Sequence, residues 1–371
     1  MDTQVAVIGA GPVGSALALL LRRHGVDTVL LEKAEFPRDK PCGEAMLPAG
    51  AAVLRAAGVD LRELGYPRLL GTRFRMPGRG WVRGAFGGPA YGVRRLRLDA
   101  HLAALAGART GTPVSGLRRR QQAWVAATPA GEVSARFLVA CDGLRSPLRR
   151  QLGWDGPNPN GRFGLVGHLQ ATAHGLHEIV ITLLGDRETY LAPAGEDELL
   201  LAVLGAGGTL RHPGRSVEAS YLAARDLAHP ELCGAPLLGR VHGAGPFDTS
   251  ARRVAGDGAF LCGDAAGFLD PLTGDGMSAG LLQAACLAEL LAGWPERAEA
   301  SYRAHLRTQW RHRRWVRLLA TRLAGSPCLA ERALRGAGRR PVAIDRLLLA
   351  SYGPYGLGSL RPRDWMALAG W

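Results

Sequence analysis

Lysine is nearly missing from this chain of 371 residues. Lys33 and Lys40 are the only two, and the other 44 basic residues are arginine. With 32 acidic residues the formal net charge is +14. Such an excess invites nucleic acid as a partner. Yet no nucleic-acid module is visible, and no aromatics interleave along a basic groove, so no nucleic-acid partner is expected. Abundant Ala, Gly, Leu, Pro and Arg instead suggest a GC-rich coding sequence with a solvated arginine surface. Cysteines are few and scattered, at 42, 141, 233, 262, 286 and 328. That spacing excludes a disulfide framework and a compact metal site, and a reducing cytoplasm is the expected compartment. Long apolar runs are also lacking. The longest, Met277 to Trp294, is interrupted by Gln283 and Glu289 and is not expected to span a bilayer. The amino terminus enters a strand directly, so no signal peptide is expected.

What is present begins at once. Val5 to Ile8 runs into Gly9-Ala10-Gly11-Pro12-Val13-Gly14 and then into an apolar helical stretch. Gly9 permits a tight turn, Gly11 lets backbone approach a pyrophosphate, and Gly14 lets helix and strand pack closely. Free N–H groups and the helix dipole favour the anion. A second strand, Asp27 to Leu31, ends in Glu32 and Lys33. Glu32 is placed to meet ribose hydroxyls, and its charge would repel a 2′-phosphate. Far along the chain, Phe260 to Gly267 and Asp270 to Gly276 lead into a second apolar helix. This second motif is placed to close over the other half of the dinucleotide, and together the two indicate a flavin.

The intervening chain predicts a discontinuous arrangement of class α/β. A Rossmann-type cofactor domain is expected over residues 1–70, 93–160 and 250–295. An inserted antiparallel-sheet substrate domain is expected over 71–92 and 161–249, with a helical basic region over 296–371. The inserted sheet is read from Gly164–Ala171, His177–Leu184, Thr189–Pro193 and Glu198–Val203, with hairpin turns at Gly185-Asp186 and Ala194 to Asp197. In the last region Trp310, Arg311, Arg313, Arg314, Trp315 and Arg317 crowd together. A basic helix with tryptophans suits peripheral contact with an anionic membrane or an acidic carrier protein.

Residues 5–14, Cys141-Asp142-Gly143, and Gly263-Asp264 with Asp270 to Gly276 resemble the three fingerprints of flavin-dependent monooxygenases of the para-hydroxybenzoate hydroxylase fold. Phe36 to Glu44 is similar to the cysteine–glycine loop of the geranylgeranyl reductase branch, and Arg95 to Asp99 matches a motif of the same group. The likeness spans residues 3 to about 295. It implies FAD, with Gly9, Gly11, Pro12, Val13 and Gly14 at the pyrophosphate and Glu32 and Lys33 at the adenosine ribose. It further implies Arg95 along the ribityl and phosphate region, Val114 at the adenine, and Asp264 on the ribityl chain or phosphates. Gly274, Gly276 and Met277 would face the pyrimidine edge of the flavin, where aligned N–H groups stabilise the charge of the reduced ring. Asp142 would serve both FAD and a transient NADH or NADPH, although Asp142-Gly143 also reads as a plain turn.

Catalytic candidates are fewer. Cys42 and Glu44 sit in a loop expected to overhang the flavin, Cys42 packing beside the ring and Glu44 orienting substrate or shuttling a proton. His168 and Tyr190, on strands of the inserted sheet, are candidates to face substrate. The favoured reaction is oxygenation: NAD(P)H reduces the flavin, O2 adds at C4a, and the hydroperoxide hydroxylates or epoxidises an apolar substrate. That substrate would be a polyketide, aromatic or isoprenoid compound of bacterial secondary metabolism, free or carrier-bound. The alternative is reduction of C=C bonds, which the Lys40 to Gly43 loop favours. A halogenase is disfavoured by the absence of its tryptophan-rich segment.

Overall fold

The structure, a computed structural model, describes residues 1–157, 161–210, 214–352 and 356–370. The chain opens with β1 (Thr3–Ile8), α1 (Pro12–Arg23) and β2 (Thr28–Leu31). Next come β3 (Ala45–Met46), α2 (Pro48–Ala56), β4 (Arg68–Met76), β5 (Gly80–Gly92) and α3 (Arg95–Leu105). A meander of β6 (Gly116–Arg120), β7 (Ala123–Thr128) and β8 (Gly131–Ala140) leads to α4 (Pro147–Gln151). Four long strands follow: β9 (Arg162–Gln170), β10 (Glu178–Leu183), β11 (Arg187–Pro193) and β12 (Glu198–Ala206). After α5 (Gly207–Leu210) and α6 (Val217–Ala228) come the short strands β13 (His242–Ala244), β14 (Thr249–Ser250), β15 (Ala255–Gly256), β16 (Ala259–Leu261) and β17 (Gly267–Phe268). The remainder is helical: α7 (Gly276–Gly293), α8 (Ala298–Ala324), α9 (Pro327–Arg339), α10 (Val342–Tyr352) and α11 (Pro362–Leu368).

Two sheets organise these elements. The first has the order β15-β16-β8-β1-β2, with β16, β8, β1 and β2 parallel and the β6–β7 hairpin joined to β8. Its central strands are covered by helices, which is why β1 reads as an unbroken apolar run. The second has eight strands in the order β13-β9-β12-β11-β10-β4-β5-β3. The hairpins β10–β11 and β11–β12 form as their turns predict. The sheet differs from the sequence reading in two respects. β9 pairs with β12, and β10 lies parallel to β4, so the sheet is mixed rather than wholly antiparallel. It also draws in β3 and the start of β4, ahead of residue 71. Register with distant strands decides these pairings, and a local hydrophobic pattern carries no such information. The expected boundary between residues 160 and 161 falls against 158–160, and the helical reading of 353–355 likewise lies outside the described residues.

The carboxy-terminal helices form a third layer. α8 starts on the first sheet, where Tyr302 donates to the Leu261 carbonyl and Glu299 accepts from the Gly258 N–H. It then crosses to one face of the second sheet, which α9, α10 and α11 also cover. α7 has a span-like mean hydropathy of 1.3 over its 18 residues, more apolar than Gln283 and Glu289 led us to expect. Here it packs on α1, burying Leu281, Ala284, Leu287 and Leu291.

Candidate active site

The amino-terminal glycines and the distant Asp264 turn meet. Val13 packs on Gly263, where an added Cβ would lie 3.3 Å from its methyls, and on Gly280 of α7, where the same atom would come within 2.6 Å. Gln283 accepts from the Gly263 N–H at 2.8 Å and is itself held by Gln309 of α8. The polar break in the apolar helix therefore fixes the turn before Asp264. Two helix amino termini converge here, and neither is capped by a side chain. The N-cap of α1 is Gly11. That of α7 is Asp275, whose carboxylate instead takes a bidentate pair of 2.7 Å bonds from buried Arg313. Both first turns thus keep free N–H groups for an outside acceptor.

Cations gather beside the first of these termini. Asp99 is fully buried and accepts from Arg95 at 2.6 and 2.7 Å and from Arg38 at 3.0 Å. A Cβ on Gly11 would meet nothing nearer than the guanidinium tips of Arg95 and Arg38, at 3.8 and 4.0 Å. Lys40 reaches Gly143, 3.0 Å from the place of a Cβ there. Burial, with repulsion from Arg95 second, lowers the Lys40 pKa, while Asp264 supports its charge. Asp264 is half-buried and makes no hydrogen bond to the described residues, so its oxygens remain available. At the end of β2, Glu32 accepts from the N–H groups of Ala10 at 2.8 Å and Ala34 at 3.0 Å. Lys33 beside it is exposed. The Thr112 N–H donates to the Glu32 carbonyl, which lays the segment before half-buried Val114 along the same edge. A cradle that a Cβ would fill, three cations against one aspartate, a ribose-level carboxylate and two uncapped helices suit an extended dinucleotide.

The remaining expected residues divide. Asp142 accepts from the Leu148 N–H in the first turn of α4, which Ser146 caps, while its other oxygen is buried without a partner among the described residues and burial raises its pKa. Gly274 is left-handed, with φ +65°, and opens onto a cavity. Gly276 lies against Phe268, and half-buried Met277 packs on the core of the first sheet. Glu44 and His168 face each other. Glu44 is 2% exposed and accepts from the Arg95 N–H at 2.8 Å and from Arg94 at 3.3 Å, while its other oxygen meets His168 Nε2 at 2.9 Å. Both carboxylate oxygens are spent, so the pair braces the loop against β9. Two titratable groups on separate segments can satisfy each other, and neither segment alone reveals it. Cys42 keeps its place between the cation cluster and the start of β3. Burial raises its pKa, and Arg95 beside it opposes that shift only in part, so the thiol form is favoured.

Beyond Gly274 opens an apolar cavity of about 130 Å³ between the second sheet and the carboxy-terminal helices. Phe74, Phe86 and Ile181 come from the strands, and Val316, Ala333 and Leu348 from the helices. Tyr190 lines it, and its hydroxyl donates to the Leu272 carbonyl at 2.9 Å. Thr72 contributes the only other side-chain hydroxyl among the described lining residues. The helical wall, Arg38, Lys40 and the Arg313–Asp275 pair all escaped the sequence reading. A signal for Arg313 was nevertheless available. It falls on the stripe Tyr302, Leu306, Arg313, Val316 that α8 buries, and an arginine on an apolar stripe needs a buried partner.

The profile of the FAD binding domain family matches residues 2–314. The chain belongs to that family. It is an FAD-dependent oxidoreductase. Menaquinone reductase of Mycobacterium tuberculosis is 31% identical over 331 residues, covering 78% of this chain and 76% of that one. Rifampicin monooxygenase of Streptomyces venezuelae is 28% identical over 319 residues, covering 81% of this flavoprotein and 67% of its own length. A flavoprotein/dehydrogenase from Cytophaga hutchinsonii shares the fold, with a TM-score of 0.86 at 19% identity over 97% of this chain and 95% of that one.

Proposed function

We propose that this flavoprotein reduces a C=C bond of a long apolar substrate, isoprenoid or quinone-like, drawn into the cavity beyond Gly274. Bound FAD would supply hydride-transfer chemistry, recharged by NADH or NADPH acting as a transient donor. Gly11 and Gly14 with Arg38, Lys40 and Arg95 would hold its pyrophosphate, Glu32 its ribose and Asp264 its ribityl chain. The first turn of α7 would meet the pyrimidine edge, and Arg313 keeps that turn uncapped by occupying Asp275. The apolar walls exclude water and orient a substrate that has little to hydrogen-bond.

The observation that carries reduction over oxygenation is Cys42. The loop holding it runs from the cation cluster at Lys40 to Leu47, which lines the cavity. A cysteine at that point is harmless beside a hydride donor, and beside a peroxide it would survive only while burial keeps it protonated. The likeness to menaquinone reductase agrees. Oxygenation, which the sequence placed first, is the second reading, and the likeness to rifampicin monooxygenase favours it.

The test is turnover with NADH or NADPH, in the presence and absence of oxygen, on menaquinone and on a geranylgeranyl lipid. Reduction of a C=C bond predicts a product heavier by two hydrogens, a gain that survives mild reoxidation of any quinol, formed at least as well without oxygen. Oxygen consumed in proportion to a hydroxylated product would reverse the assignment.

A further inference from the structure

The helices that close the cavity turn a different chemistry outward. Residues 296–371 carry fifteen arginines against five acidic residues, so ten of the chain's fourteen net positive charges lie in this region. On α8 the exposed stripe is Arg307, Arg311, Arg314 with Trp315, Leu318 and Arg322, spaced by three and four residues along one side. On α9 it is Leu329, Arg332, Arg335 and Arg339. Trp315 is 58% exposed, Leu329 45% and Leu318 39%. The opposite sides of these two helices, through Val316, Leu323, Ala330 and Leu334, line the cavity. Since both inner faces address one space, both outer faces look away from the sheet together.

Arginine pairs bidentately with phosphate, and tryptophan settles where headgroups give way to acyl chains. An acidic protein partner would match the arginines but leave single apolar side chains set between them without purpose. We propose that the outer face of α8 and α9 docks on an anionic lipid surface and sets the cavity wall against the bilayer that dissolves its occupant. The second half of that statement rests on the apolar substrate assigned above; the docking itself does not.

The experiment is co-sedimentation of the full-length, FAD-loaded chain with two kinds of vesicle. One kind is phosphatidylcholine alone, the other equal parts phosphatidylcholine and phosphatidylglycerol. The wild type should sediment with the mixed vesicles and scarcely with the neutral ones. R311E/R314E/R322E should weaken that binding by at least about a hundredfold, since losing each arginine near an anionic surface costs roughly a factor of five and the added glutamates repel it further. W315S/L318S/L329S should weaken what survives at high salt. Both variants should keep their flavin and their turnover of detergent-dispersed menaquinone. Equal binding to both vesicles, no binding, or binding unmoved by charge reversal overturns the proposal, as does capture of an acidic carrier protein without vesicle binding. Absence of turnover of detergent-dispersed menaquinone by the wild type, with its vesicle binding intact, would instead count against the assigned reaction.

Discussion

Gly11 and Gly14 stand in one motif but answer to different constraints. A Cβ at Gly14 would lie 1.9 Å from the Gly9 carbonyl oxygen, so the polypeptide itself forbids a side chain there. Gly11 has extended backbone, φ −71° and ψ −179°, and open space around it. Only a ligand requires glycine at that position. Gly11→Val should therefore keep its far-ultraviolet circular dichroism and purify colourless, whereas Gly14→Val should fail to fold. A yellow Gly11→Val would refute the pyrophosphate placement. A second residue sets a pH limit. His229, fully buried, has the Arg75 guanidinium at 2.8 Å and the Glu231 carboxylate at 3.4 Å from Nδ1, and the Thr189 hydroxyl at 3.1 Å from Nε2. Burial, then Arg75, lowers its pKa to about 4 from an ordinary 6.5. Below pH 6.5 the unfolded chain takes up the proton first, so this contribution to stability is complete above that value and is lost as pH falls toward 4. The urea midpoint should drop across this window, and His229→Gln should flatten the slope. Motif residues such as Glu32 and Gly11 were legible because strand, turn and helix are local. The pairing of Glu44 was not legible because its partners, Arg94, Arg95 and His168, lie 50 to 124 residues away.

At the scale of the element, the two uncapped helices decide where charge is welcome. The α1 terminus could be read directly, since a strand, glycines and a proline at N1 announce it. The α7 terminus could be read only in part. Asp275 resembles an ordinary N-cap, and nothing near it in sequence shows that Arg313 has taken its carboxylate. In the same way, the arginines and tryptophans of α8 were read as surface, and its buried stripe went unnoticed. Arg313→Met should leave a buried carboxylate unpaired and cost about 3–5 kcal/mol, seen as a lower denaturation midpoint. Released to cap its own helix, Asp275 would also compete with the flavin, so weaker FAD retention should accompany the loss. Unchanged stability and flavin content would show that the pair has no such role.

For the whole molecule, the fold class was evident from sequence because a βαβ start and a hairpin-rich insert have different periods. The arrangement of the second sheet was not, since β4 must cross more than 100 residues of chain to lie beside β10. Nor was the cavity, which needs three separate layers: the strands, the Leu272–Gly274 turn and the last four long helices. The central claim is that the distant motifs hold one FAD whose ring edge opens into that cavity. Titrating the FAD-loaded chain with a detergent-dispersed prenylated quinone, followed by the flavin absorption band, tests it most directly. The account predicts a saturable shift that Ala320→Phe, which fills the cavity from α8, weakens about tenfold or more without loss of flavin. A flavin spectrum indifferent to the quinone, or a shift that Ala320→Phe leaves untouched, would contradict it.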